Sequence, residues 1–244
     1  MEKNTKIQII NIKYNNFAFF LTIITALSLL ALFYLIIQTA NSYVDSNIIK
    51  ITNQKTIQDQ NNYKHLIGIL KNIRNTSINN IIISANFLDK TNKSIGNFSK
   101  QSEITTINPN NTSPFDILIY DKKIYDKINI FNVNIKYNKT KDKESMLNIN
   151  SNISHIDING FYFINGEIQN KGNTYSNNTT VTAVTFDKNK EILGIWKAQT
   201  EPYTIPPLST ASFSIPITDK IQSFKISNYT LLAESDKYTT KYKE

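Results

Sequence analysis

Cysteine is absent from the 244 residues, so no disulfide framework, thiolate metal site or cysteine nucleophile is available, and each domain must be held by packing and strand pairing alone. Arginine is reduced to Arg74. The net charge of +8 therefore comes almost wholly from lysine, whereas phosphate-reading proteins exploit the bidentate guanidinium fork, and nucleic-acid binding is not expected. The lysines read as a solvated surface with some attraction for anionic envelope polymers. Histidine occurs only as His65 and His155. Neither has a second ligand at helical or hairpin spacing, so each reads as a surface or strand-edge residue rather than a zinc or copper ligand. No glycine-rich phosphate loop, G-x-S-x-G elbow or H-E-x-x-H motif is present, and the chain reads as non-enzymatic, with no cofactor and no metal site.

What is present begins with one long apolar run. Residues 17–38 carry no charge and no proline, and about twenty such residues in a helix at about 1.5 Å each span a hydrocarbon core of about 30 Å. A cleaved secretory signal is the rival reading, but its apolar region is about 7–15 residues long and ends in a small-residue site; here the best such site is the weak Ala40-Asn41-Ser42. Lys3, Lys6 and Lys13 precede the run and the first charge after it is Asp45, which predicts a cytoplasmic N-terminus and an extracytoplasmic remainder on a single-pass anchor in the cell membrane.

The rest of the chain matches itself at an offset of 98 positions. Gly68 aligns with Gly166, Asn72 with Asn170, Ala85 with Ala183, Asp89 with Asp187 and Gly96 with Gly194. Phe98 then aligns with Trp196, Pro109 with Pro207, Phe115 with Phe213, and Asp121 with Asp219. Register kept through four of six glycines signals tandem duplication. Within each copy, Ile81 to Leu88 and Thr179 to Phe186 are β-branched and aromatic runs ending at polar turn clusters, and Ser209 to Ile217 alternates apolar with polar. Short strands at this spacing predict an antiparallel sandwich. The expected fold is mainly β: one N-terminal transmembrane helix followed by two tandem antiparallel Ig-like β-sandwich domains. The expected order is a cytoplasmic tail 1–16, transmembrane helix 17–38, stalk 39–62, first Ig-like domain 63–137, linker 138–158, second Ig-like domain 159–236 and C-terminal tail 237–244. Stalk and linker rest on their polar, asparagine-rich composition.

Gly166-Glu167-Ile168-Gln169-Asn170-Lys171-Gly172, Ala183 to Asp187 and Ile205-Pro206-Pro207-Leu208-Ser209 together resemble the FxLYD domain, a small Ig-like module of secreted and membrane-anchored archaeal and bacterial proteins. Copy one keeps Gly68, Asn72, Ala85, Phe87, Asp89 and Pro109. Both copies depart from the family's Tyr-Asp pair, with Leu88-Asp89 and Phe186-Asp187, and Leu208 stands where glycine is usual. The resemblance implies the fold and a binding or scaffolding role, and no reaction.

Asp187 to Glu191 alternates oxygen ligands in a way that suits calcium, yet the interleaved lysines favour a hairpin turn, and Asp89 reads the same way. Trp196 reads as a core residue matched to Phe98, with an exposed glycan contact as the rival. Gly68, Gly166, Gly96 and Gly194 read as backbone devices at bulges or tight turns. Ten N-x-[ST] sequons lie beyond the apolar run, and the overlapping pairs Asn110/Asn111 and Asn177/Asn178 are the candidate glycan acceptors. The expected partners are the membrane, through one helix, and an unknown protein or surface polymer. A structural spacer and an accessory subunit of a membrane complex are the alternatives.

Overall fold

The computed structural model describes residues 25, 27–29 and 49–241. Thr25, Leu27, Ser28 and Leu29 are helical and exposed. No helix among the described residues is long and apolar enough to cross a membrane, and the rest of the expected span 17–38, like the expected tail 1–16, lies outside them. The chain divides into two compact units, Met1–Tyr43 and Val44–Glu244. The second carries every described strand, in mainly antiparallel sheets.

In the first copy, β1 (Ile49–Gln58), β2 (Lys64–Asn72) and β6 (Thr112–Ile119) form one sheet. The facing sheet is centred on β3 (Ser77–Leu88), with β4 (Ser94–Gln101) and β5 (Thr106–Ile107) on one side and β7 (Ile130–Thr140) on the other. Period-two patterning aims Ile81, Ile83, Ala85 and Phe87 of β3 inward, where they meet Leu66, Leu70, Phe115 and Ile117 of the first sheet.

The second copy repeats the plan with β8 (Glu144–Ile156), β9 (Tyr162–Asn170), β10 (Thr180–Phe186), β11 (Ile192–Glu201), β12 (Thr210–Ile217) and β13 (Asn228–Glu234), and adds β14 (Tyr238–Thr240). Its sheets close into a barrel in the order β10-β11-β12-β9-β8-β14-β13. The 98-residue offset carries β2 onto β9 and β6 onto β12 at both ends, and the opening pair Ile49↔Asn72 becomes Leu147↔Asn170. Each first strand then has one extra residue, at Thr52/Lys55 and at Ile149/Ser151.

Three expected segments are corrected. The stalk 39–62 contains β1, the linker 138–158 is filled by β8 after the end of β7, and the tail 237–244 contains β14. The physical reason is common to all: these strands join a sheet through backbone hydrogen bonds, which asparagine, serine and lysine permit as well as valine does. Only Ile49 on β1 and Leu147 on β8 are buried, so little apolar pattern marks them.

The two copies pack on one another. Ile57, Ile67 and Ile69, on the outer face of the first copy's β1-β2-β6 sheet, meet Val184, Phe186, Ile192 and Ile195 from β10 and β11. The contact is head-to-tail, because opposite sheets of the two copies meet. At the repeat-equivalent positions, these residues other than Phe186, whose counterpart Leu88 is apolar and buried, are replaced by His155, Asn165 and Glu167 on one copy and by Asn86, Ser94 and Asn97 on the other. Polar outer faces stop the head-to-tail stacking from continuing to further copies. Around the apolar patch, Lys55 Nζ pairs with Glu191 Oε2 at 2.9 Å and Lys197 Nζ donates to the Glu103 carbonyl at 3.0 Å. Glu234, buried, accepts from the Thr105 amide (2.7 Å), the Thr105 hydroxyl (2.8 Å), the Thr106 amide (3.1 Å) and Lys143 Nζ (2.7 Å).

Candidate functional site

Four tight hairpins among the described residues share one device. Asp59, Asp89, Asp157 and Asp187 each accept, through Oδ1, the amides two and four residues on, at 2.7 to 3.0 Å. The residue between those two amides takes a left-handed φ: 61° at Asn62, 63° at Asn92, 82° at Gly160 and 63° at Lys190. Asp187 to Glu191 is therefore a turn whose carboxylate is spent on backbone amides, as is Asp89. The Thr91 hydroxyl and the Lys93 amide hold the Asp89 carboxyl below its ordinary pKa, and the Phe161 amide does the same for Asp157.

Gly68 and Gly166 stand directly across from Phe115 and Phe213 in the neighbouring strand. A Cβ there would lie 2.7 Å and 2.6 Å from those rings, and at Gly166 also 2.4 Å from the Ser151 carbonyl oxygen, so each glycine makes room for an aromatic ring opposite or beside the bulge of its copy's first strand. Gly96 and Gly194 also sit at β-bulges, beside Phe87/Leu88 and Thr185/Phe186. Pro109 and Pro207 occupy the second position of matching type II turns. Asn110 (φ 63°) and Leu208 (φ 58°) follow them, and Asn111 and Ser209 donate back to the carbonyls of Asn108 and Pro206. Among the candidate acceptors, Asn110, Asn177 and Asn178 are exposed. Asn111 is half-buried, and the Asn178 amide donates to Asp236 at 3.0 and 3.2 Å.

Two concave features bring side chains together. The first is a cleft of about 290 Å³ between the edges of β8 and β13, lined by Leu147, Ile149, Asn152, Tyr229, Leu231 and Thr240 among others. β14 fills its upper end, pairing antiparallel with β13 at Glu234↔Thr239 and parallel with β8 at Tyr238↔Glu144 and Thr240↔Leu147. Tyr238 is fully buried, and its hydroxyl lies 2.6 Å from that of Thr174. Below β14, Asn148 to Asn152 and Tyr229 to Leu232 line the opening, and among the described residues neither stretch is paired with a strand on that side. The Tyr229 hydroxyl donates to Asn152 Oδ1 at 2.7 Å across the cleft.

The second feature is a pocket of about 220 Å³ between the two copies, lined by Asp59, His65, Asp116, Trp196, Asp219 and Gln222 among others. His65, expected at the surface, is half-buried. Its Nδ1 lies 2.7 Å from Asp116 Oδ1, and its Nε2 lies 3.7 Å from Asp59 Oδ2. Burial alone would depress the imidazole pKa, but the hydrogen bond and charge of Asp116, joined by Asp59, outweigh it and raise the pKa above 6.5. Phe98 is a core residue, edge-on to Phe87 and Tyr120 at centroid distances of 5.9 and 4.9 Å. Trp196 is only half-buried and lines this pocket, so the matched pair divides between core and site. No group of three or more His, Asp or Glu able to hold a metal occurs among the described residues. Sequence reasoning missed both features, because each is assembled from strands distant in sequence. The one available signal was that His65, Asp116, Trp196 and Gln222 have Phe163, Ser214, Phe98 and Ile124 at the repeat-equivalent positions.

No family model matches the chain, and no curated protein matches it. Among solved structures it is similar to the Amycolatopsis orientalis exo-chitosanase CsxA, at a TM-score of 0.30 and 8% identity over 78% of this chain and 26% of that one. It is also similar to red sea bream transglutaminase, at a TM-score of 0.23 and 8% identity over 80% and 32% of the two chains. The chain thus spans about a quarter to a third of the length of these proteins, and likenesses at this level assign neither fold family nor function.

Proposed function

We propose that this is a membrane-anchored, extracytoplasmic, non-enzymatic binding protein whose tandem Ig-like modules, related to FxLYD domains, capture an extended strand of an envelope protein in the cleft between β8 and β13. The anchor is the uncharged run 17–38, with Lys3, Lys6 and Lys13 on its cytoplasmic side. The observation that carries the binding reading is the half-filled cleft. Tyr238–Thr240 already lies in it as a strand parallel to β8, and the edges beside it run on unpaired above Leu147, Ile149 and Leu231. A partner segment with alternating apolar side chains would add to both edges through backbone hydrogen bonds and bury every second residue. The packing of the two copies supports a rigid head that holds this cleft at a set orientation.

The test is photocrosslinking in native membranes, with the reactive group placed at Thr230 on the cleft edge. A reproducible adduct with one envelope protein, lost in Leu231→Asp while the circular dichroism spectrum is retained, is expected. Adducts confined to the chain itself, or none at all, would sink the proposal; the absence of any adduct would favour the spacer.

A further inference from the structure

Among the described residues, four buried side-chain polar atoms lack a hydrogen-bond partner: His65 Nε2, Trp196 Nε1, Gln222 Oε1 and Thr182 Oγ1. The first three belong to residues that line the pocket between the copies. A stranded buried donor or acceptor is costly, and native structures hold few of them, so the two on Trp196 and Gln222, beside a His65 Nε2 whose nearest acceptor is Asp59 Oδ2 at 3.7 Å, call for something that answers them. Gln222 is more than nine-tenths buried. A Cβ on Gly194 would lie 2.5 Å from its Oε1 and 2.8 Å from the Trp196 Nε1, so an acceptor and a donor close in on the same point of the backbone, an approach that only glycine permits.

The first copy shows what a plain version of this site looks like. There Gly96 faces Phe98 and Ile124, whose atoms would lie 2.8 and 2.9 Å from the same built Cβ, and both are buried in an apolar core. The second copy has Trp196 for Phe98 and Gln222 for Ile124. On the other wall, His65 and Asp116 stand where the second copy has Phe163 and Ser214. His65, Asp116, Trp196 and Gln222 are thus no inherited part of the module, whereas Asp59 and Asp219 recur as Asp157 and Asp121. The walls are tied across the copies, because Asp219 accepts from the Gln222 amide through Oδ1 and from the Gln60 amide through Oδ2, each at 3.0 Å.

We propose that this pocket binds one small, neutral, hydroxyl-rich ring, the size of a single sugar unit. At about 220 Å³ it falls below the about 300–1,000 Å³ of sites for drug-sized ligands and holds the equivalent of about seven waters at about 30 Å³ each. Sugar hydroxyls donate and accept, which suits a mixed set of one indole N–H, one amide oxygen, an imidazole nitrogen and the carboxylates of Asp59 and Asp116. The half-buried Trp196 ring adds an apolar face that water alone does not use. Three carboxylates, Asp59, Asp116 and Asp219, disfavour an anion. The mouth is bordered by the exposed Gln60, Asn61 and Thr218.

Trp196 is the only tryptophan, so its fluorescence reads this pocket directly. The full chain, in nanodiscs and free of sugar detergents, is titrated separately with glucose, galactose, mannose and N-acetylglucosamine. At least one gives a saturating change in Trp196 emission in the millimolar range. Gln222→Ile, which installs the first copy's residue, weakens that response at least about tenfold with no fall in melting temperature. His65→Phe, the second copy's residue, does the same from the opposite wall and serves if Gln222→Ile does not fold. No saturating response to any of the four sugars, meaning a water-filled pocket, overturns the proposal, as does a response that survives both substitutions. The strand-capture cleft lies elsewhere, so its crosslinking result is independent of this one.

Discussion

At the residue scale the clearest device is a buried asparagine repeated in each copy. Asn72 and Asn170 are both fully buried. The Asn170 amide donates to the carbonyls of Thr174 (2.7 Å), Ile205 (3.0 Å) and Pro206 (3.2 Å), while its oxygen accepts from the Gly172 amide at 2.9 Å. Asn72 does the same with Thr76, Ile107 and the Arg74 amide. Each asparagine pins a turn to the neighbouring strand, and replacing it strands several backbone groups. Asn170→Leu is expected to cost about 2–3 kcal/mol, visible as a lower urea midpoint. Backbone strain supplies the opposite prediction. Leu208 and Lys190 hold left-handed φ values of 58° and 63°, a conformation that costs side-chain-bearing residues about 1 kcal/mol or more. Leu208→Gly and Lys190→Gly are each expected to raise the melting temperature, by about 0.5–1 kcal/mol of added stability. The turn role of Asp89 and Asp187 was legible from the chain alone.

At the scale of elements, β3 and β10 show how one strand plan serves two environments. β3 alternates, with Ile81, Ile83, Ala85 and Phe87 buried and Ser84 and Asn86 turned out, half-buried. β10 is buried on both faces from Val181 to Thr185, because its outer face meets Ile67 of the first copy. The continuous β-branched run from Thr179 to Phe186 is the mark of a strand covered twice, a signal present in the composition and overlooked. Adding a charge inside that contact should separate the copies without dissolving either core. Ile67→Asp is expected to expose β10 and β11 selectively to amide exchange while protection in β3 persists; uniform loss of protection would mean that the two modules fold only together.

At the scale of the whole molecule, Glu234 links the halves through Thr105 and Thr106. Removing the Glu234 carboxylate leaves Lys143 and the amides of Thr105 and Thr106 without their acceptor, and Glu234→Ala is expected to cost up to about 3 kcal/mol. Differential scanning calorimetry should then resolve one unfolding transition into two. His65 adds a pH dependence. Its folded pKa lies above 6.5, because the Asp116 and Asp59 contacts outweigh burial. Its stabilisation is therefore complete below the unfolded pKa of about 6.5 and is lost as pH rises through the higher folded value. The wild-type chain should lose stability relative to His65→Gln across that interval, and parallel pH profiles for the two would refute the linkage.

The chain by itself determined the duplication, its register to the residue, the turns at Asp89 and Asp187 and the alternation that makes β12 a sandwich strand, because each is a local pattern: a φ requirement, a cap or a period of two. Tertiary structure alone decided that β1 and β8 are strands, that opposite sheets of the two copies meet, and that His65, Trp196 and Gln222 share one pocket. Edge strands are held by backbone hydrogen bonds that almost any side chain allows. A contact between residues more than a hundred positions apart depends on which face each sheet turns to the other, and no local period carries that information.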